Sequence, residues 1–266
     1  MHSFVGVRDV MREFVNAREW NRFHTPRNVM IALAAEVGEV GEIFQWKGAL
    51  ENGLDDSFDK KQCEHIGEEI ADVSVYTARL CDLCNIDLAE SVYRVLDESF
   101  RSTKEYRTNK LDDSWKDFTF EQCIPLLTST SRFLLKSPRD LVLRMQKNLG
   151  LLSECFLVKS ELDCASGLQS GWSSSDIDHI SLKLGTLFVD FLCLGHVCQL
   201  DFTTLLEDKI AKNNAKYPAD RCKGKATKYT AYSSQTVTIS TCFASSITSL
   251  AVGVIATVLF YSFRRK

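Results

Sequence analysis

Five carboxylates carry the chemistry this chain could do. Glu36, Glu39 and Glu42 recur every third residue in the stretch from Thr25 to Gly48, and Glu69 and Asp72 repeat that spacing downstream. On a helix, side chains three apart stack on one side, so each set presents its carboxylates together. Like charges so placed repel by roughly a few tenths of a kcal/mol when solvated and by more when half-buried. A counter-charge is therefore expected. If the two helices pack antiparallel, Glu36, Glu39, Glu69 and Asp72 meet, and four hard oxygen ligands with room for water describe a Mg²⁺ site that also accepts phosphate oxygens. A single Glu-x-x-Glu is usually a solvated face. Two acidic pairs on consecutive apolar helices, with small Ala and Gly neighbours, point to the metal instead.

The elements that must position these groups are helices. Thr25 is an N-cap, Pro26 fits the first helical position, and Gly48 supplies a C-terminal stop. Between them Val29, Leu33, Val37, Val40 and Phe44 form one apolar stripe. Before it, an amphipathic helix is expected from Ser3 to about Phe23, with Val7, Val10, Met11, Phe14 and Val15 inward and Trp20, Phe23 and His24 closing it. After a polar loop, a third helix runs from about Lys60 to Cys84, and Asp87 caps a fourth through Val92, Leu96 and Phe100. Such a half-bundle has apolar faces that need a partner.

Phe23-His24-x-Pro26-Arg27-Asn28, Glu36-Val-Gly-Glu39, Phe44-Gln45-Trp46, Glu68-Glu69-x-x-Asp72 and Tyr76 stand at fixed spacings over about ninety residues. In these the chain resembles the MazG-like all-α nucleotide pyrophosphohydrolases, and within them the dCTP pyrophosphatase branch. The resemblance implies that Glu36, Glu39, Glu69 and Asp72 hold Mg²⁺, and that His24, Trp46 and Tyr76 enclose a nucleotide base.

The rest of the chain aligns with its own first part. Ser137-Pro138-Arg139-Asp140 matches Thr25-Pro26-Arg27-Asn28, Leu149 to Phe156 matches Val37 to Phe44, His179-Ile180 matches His65-Ile66, and Leu194 to Asp201 matches Leu80 to Asp87. This reads as a tandem duplication. The fold expected is all-α: two MazG-like helical-bundle repeats, residues 1–110 and 111–230, forming an intrachain pseudo-dimer, with a C-terminal transmembrane helix over 236–263. The second copy has no metal set, since Asn148, Leu151, Lys183 and Thr186 stand against Glu36, Glu39, Glu69 and Asp72. It keeps something else. The family resembled carries a Lys, an Asn and a Tyr-Pro one turn apart on its last helix, in contact with nucleotide, and Lys209, Asn213 and Tyr217-Pro218 fit that pattern. The same steps from Asp87 reach Val95, Ser99 and Thr103. One composite site is expected, with metal ligands from one half and Lys209, Asn213 and Tyr217 from the other.

Composition narrows the partners. The chain has 266 residues and net charge −3, with a pI near 6.0, which argues against a general nucleic-acid binder. Its 10 cysteines mostly sit in apolar surroundings and read as reduced core thiols. From Thr236 to Phe263 there is no charged residue, and Arg264-Arg265-Lys266 follow. That length crosses a bilayer. It reads as a tail anchor with the catalytic part in the cytosol, on the mitochondrial outer membrane by preference, with the ER and peroxisome as alternatives. Arg221 to Tyr229 is a basic stretch that could touch phosphate or lipid headgroups. A homo-oligomer is expected from the resemblance.

The reaction expected is hydrolysis of a deoxynucleoside triphosphate, dCTP or a modified dCTP first, to monophosphate and pyrophosphate. Glu39 or Glu42 would orient or deprotonate the attacking water, and Lys209 would neutralise charge on the leaving pyrophosphate. Alternatives are a dUTP or other dNTP pyrophosphohydrolase, and a non-catalytic nucleotide-binding membrane adaptor.

Overall fold

A computed structural model describes residues 3–51, 53–101, 119–129, 137–159, 168 and 171–225. The break at 107–113, the apolar stretch 236–263 and the basic stretch beyond Lys225 lie outside the described residues.

Helices account for the architecture. In chain order they are α1 (Phe4–Ala17), a 3₁₀ turn (Trp20–Arg22), α2 (Pro26–Gln45), α3 (Lys60–Leu83), α4 (Leu88–Arg101), α5 (Phe120–Ser129), α6 (Pro138–Leu157), α7 (Ser174–Val197), α8 (Phe202–Lys216) and α9 (Ala219–Cys222). Local chemistry explains their starts. Thr25 and Ser137 accept from the backbone N–H groups of Asn28 and Asp140, each followed by a proline at the first helical position. Asp59 with Gln62, and Ser173 with Asp176, form reciprocal capping boxes at α3 and α7. Both long helices stop at a left-handed residue, Asn85 (φ 54°) and Gln199 (φ 57°), which turns the chain into the caps Asp87 and Asp201.

Two boundaries differ from expectation. The first helix ends at Ala17 rather than near Phe23, because Glu19 adopts φ 54° and the chain re-enters as a 3₁₀ turn. The second ends at Gln45, with Trp46 as its C-cap, rather than at Gly48. There Lys47 turns back, donating to the Ser57 carbonyl (2.9 Å) and lying over the Phe58 ring (4.0 Å), while Leu50 and Phe58 are buried beneath.

The packing crosses over. α2 lies along α3, α6 lies along α7, and α2 packs against α6. α4, which follows α3, covers α7, whereas α8, which follows α7, covers α3. Two close approaches make that crossing possible. A Cβ on Gly67 of α3 would stand 2.4 Å from Leu205 Cδ2 of α8, and one on Gly185 of α7 would stand 2.4 Å from the Ser91 carbonyl oxygen of α4. The Ser91 and Ser181 hydroxyls hydrogen-bond at 2.7 Å in the same seam. Gly185→Ala should therefore push backbone against backbone and lower stability by about 1–3 kcal/mol, read as the midpoint of urea denaturation.

α7 is, among the described residues, the one helix long and apolar enough to cross a membrane. It is also the core of the bundle: Ile180, Leu184, Leu187, Phe188, Phe191 and Leu194 are fully buried, with Phe188 packed among Phe4, Phe120, Phe191 and Phe202. The described cysteines are free thiols. Cys81 and Cys84 share a Cys-x-x-Cys spacing but are buried, and burial holds the Cys81 thiol well above its ordinary range.

Candidate active site

Packing of α2 along α3 brings their acidic faces together. Glu36, Glu69 and Asp72 each place a carboxylate oxygen within 4.8 Å of the others. Among the described residues no other group of three potential ligands converges in this way. Glu39 is exposed beside them, near enough for its charge to act on all three. Three of the four expected ligands thus meet, with the fourth at the open edge. Glu42 is exposed one step further along α2 and stands outside the cluster.

The electrostatics show what the cluster lacks. Burial, then Asp72, Glu39 and Glu69, pushes Glu36 up to about 7. Burial is also the largest cause raising Glu69 and Asp72. Glu69 is only 6% exposed; its Oε1 stands 3.2 Å from His65 Nε2, and its Oε2 has no hydrogen-bond partner. A buried carboxylate oxygen without a donor is costly unless a cation completes it. Hard oxygens from two rigid helices, one of them unpartnered, fit Mg²⁺.

A lysine from α8 also reaches the cluster. Lys209 of α8 pairs with Asp72, with its side chain 11% exposed, because α8 crosses onto α3. Lys212 pairs with Glu68 on the same seam. Asn213 follows one turn after Lys209 and is half-buried, and its carbonyl accepts from the Tyr217 N–H (2.9 Å), which ends the helix. The Tyr217 ring then packs edge-on to Trp20 at 5.3 Å. Tyr76 is half-buried between the two groups, and burial with Glu36, Asp72 and Tyr217 holds its hydroxyl protonated.

His24 belongs to a partly buried network rather than to a free face. Arg79 Nε donates to His24 Nδ1 (3.4 Å), its Nη2 to Asn21 Oδ1 (2.7 Å) and its Nη1 to Asp82 Oδ2 (2.5 Å), and Arg12 Nε reaches the other Asp82 oxygen (2.6 Å). With Nδ1 accepting, the imidazole proton sits on Nε2. Burial first, and then Arg79, pushes His24 down to about 4. It is a neutral donor at physiological pH.

Trp46, like Glu42, is an expected site residue that the structure leaves apart, 88% exposed at the end of α2. Trp20 and Arg79 are the additions. Trp20 sits between Phe14, His24 and Tyr217, with its indole N–H donating to the Cys222 carbonyl (3.2 Å). Its signal in the sequence is the aromatic run Trp20-x-x-Phe23-His24; Arg79 has none, because a mid-helix Arg reads as surface.

Compared with protein-family models, the chain matches none. It is similar to dCTP pyrophosphatase 1 of Mus musculus, 38% identical over 91 residues that make up 34% of this chain and 53% of the mouse protein. The Homo sapiens protein of the same name is 37% identical over 91 residues, and that of Bos taurus 36% over 95. Over about a third of its length the chain is related to dCTP pyrophosphatase 1. It spans about half the length of these curated relatives.

A cation at the cluster should be visible in stability. Glu36 is raised above the ordinary 4.5, so the folded form holds the extra proton between about 4.5 and about 7, and its contribution is lost as pH rises through that window. His24 has the opposite sign, contributing above its ordinary 6.5 and losing that as pH falls towards 4. Comparing Tm with and without millimolar Mg²⁺ at each pH cancels His24. The Mg²⁺-induced rise should be several degrees at pH 7.5 and smaller at pH 5, where Glu36 keeps its proton. An equal rise at both would remove Glu36 from the ligand set.

Proposed function

We propose that this chain is a Mg²⁺-dependent nucleoside triphosphate pyrophosphohydrolase that cleaves dCTP, or a modified dCTP, to the monophosphate and pyrophosphate. The observation that carries the reading is the meeting of Glu36, Glu69 and Asp72 with Lys209, a residue from the opposite end of the described chain. Similarity to dCTP pyrophosphatase 1 supports the substrate.

Glu36, Glu69 and Asp72, with Glu39 at the rim, would hold the ion, which when bound offsets phosphate charge and acidifies a coordinated water. Glu39, exposed at the open edge, would orient the attacking water, with Glu42 next along the helix. Lys209 moves its charge from Asp72 to the leaving pyrophosphate. Tyr76 supplies a neutral donor beside the carboxylates, His24 Nε2–H supplies another next to Trp20, and Trp20 with Tyr217 offers aromatic surface for a base. Asn213 carries both donors and an acceptor for a base edge.

The site draws on both ends of the chain, and we read the fold as an intrachain pseudo-dimer. Support comes from α2 and α6, both 20 residues, and α3 and α7, both 24, with matching caps and left-handed stops. The crossing of α4 and α8 is reciprocal. In the second half Asn148 and Arg144 bond Asp190 where the first half has its acidic cluster, which is why we place one metal centre and not two.

The test is to incubate the chain with Mg²⁺ and each common deoxy- and ribonucleoside triphosphate while pyrophosphate and monophosphate are followed. Pyrophosphate from dCTP above the others is the expected result. Nucleotide binding without turnover would replace this reading with a sensor or adaptor.

A further inference from the structure

A second cleft, of about 210 Å³, opens between α6 and α7. Leu151, Glu154 and Cys155 line it from α6, and Asp176, His179 and Lys183 from α7. No residue of the candidate active site takes part in it.

The charges in this cleft do not cancel. Asp176 is already engaged, its Oδ2 accepting from the Ser173 N–H (2.9 Å), the Ser173 hydroxyl (2.9 Å) and the Lys159 ammonium (3.1 Å). Glu154 is exposed, so water and salt screen it. Lys183 is half-buried, and among the described residues no carboxylate pairs with it. Its charge acts on the Cys155 thiol, which burial raises and Lys183 pulls back, so the ammonium lies on the cleft side. His179 stands one turn earlier on the same helix, exposed and likewise without an ion pair among the described residues.

A half-buried ammonium without a counter-charge is costly, because its surroundings screen it less than water does. The slightly exposed Lys209 meets that cost by pairing with Asp72. Lys183 has no such carboxylate. In the alignment of the chain with its own first part it stands against Glu69, so the sign of the charge is reversed. Its neighbours change in the same sense: Asn148 is turned inward to Asp190, and Leu151 offers no ligand atom. A place for a cation has become a place for an anion.

We propose that this cleft binds a phosphorylated small molecule, without a metal, through Lys183 and His179. A phosphate monoester carries nearly two charges at neutral pH and gains more from two adjacent donors than a carboxylate does. Size asks for more than the anion. A benzene-sized ring occupies a cavity of ~150 Å³, so this cleft takes the phosphate with part of the body that bears it, packed against Leu151 and Val158. Glu154, at the rim, accepts from a hydroxyl or amine of that body. The inference uses only the residues of this cleft and nothing of the proposed reaction.

Calorimetric titration of the full chain in mild detergent, with EDTA present to keep metal from the acidic cluster, tests it. The probes are dCMP, ribose 5-phosphate and, as the body without phosphate, deoxycytidine. Both phosphates are expected to bind and deoxycytidine is not. Lys183→Met keeps the bulk and removes the charge, so it should weaken phosphate binding at least tenfold, and Lys183→Arg should restore most of it. An unchanged far-UV circular dichroism spectrum and Tm would show that the methionine variant folds. Tighter binding of dCMP would assign the body to a nucleoside, and equal binding would assign recognition to the sugar phosphate; either result bears the proposal out. It is overturned if neither phosphate binds, if deoxycytidine binds as well as dCMP, or if Lys183→Met leaves the affinity as it was.

Discussion

Glu69→Gln is expected to abolish divalent-dependent turnover while leaving the helical bundle standing. Glu69 contributes a buried oxygen, Oε2, with no hydrogen-bond partner, while its Oε1 faces His65, so a cation is what the second oxygen lacks. An amide of the same shape keeps the packing, relieves repulsion with Asp72, and cannot bind Mg²⁺ as a carboxylate does. Loss of the ion's stabilisation of transition-state charge is worth several kcal/mol, or about 10³-fold or more in rate. Pyrophosphate release measures it. Meanwhile the Tm without metal should hold or rise, and its response to Mg²⁺ should disappear. Activity within tenfold of wild type would remove the metal assignment. Glu39→Gln, at the exposed edge, asks in the same assay whether the fourth carboxylate is needed; the reading here requires that turnover be lost.

Lys209→Ala is expected to lower kcat/KM by about 10²–10³-fold, the usual effect of removing one preorganised charge from a site, with Mg²⁺ dependence retained. The metal-free protein should suffer as well. Breaking a buried pair by removing one partner costs about 3–5 kcal/mol, and the slight exposure of Lys209 and Asp72 places this pair at the low end. Mg²⁺ should restore most of that stability, because the ion replaces the lysine beside Asp72. Unchanged kinetics in Lys209→Ala would refute a site built from both ends of the chain, whatever the fate of Glu69.

These two variants separate what could be read from residues and what could not. Period and punctuation were legible: Thr25-Pro26 and Ser137-Pro138 begin their helices as read, and Asp87 caps α4, because caps act within one turn. So was the acidic cluster, since i,i+3 spacing places Glu69 and Asp72 on one side of α3 whatever surrounds it. The end of α2 was not. Gly48 is a good stop, but Lys47 gains more from folding back onto Ser57 and Phe58, ten and eleven residues away. Nor was the break at Glu19, where Arg18 is held to the Phe14 carbonyl, the Tyr217 carbonyl and Asn214 from α8 and beyond.

By itself, then, the sequence determined an all-helical chain, where its main helices start, and which carboxylates share a face, because each depends on neighbours within a turn or two. The resemblance already led to Lys209 beside the carboxylates; only the tertiary structure decided that α8 crosses onto α3 so that Asp72 is its partner, and that Trp20 rather than Trp46 joins His24 and Tyr217. It also decided that Arg79 fixes the His24 tautomer. Those outcomes rest on close approaches such as Gly67 against Leu205 and Gly185 against Ser91, between residues far apart in the chain, where no local spacing carries the information.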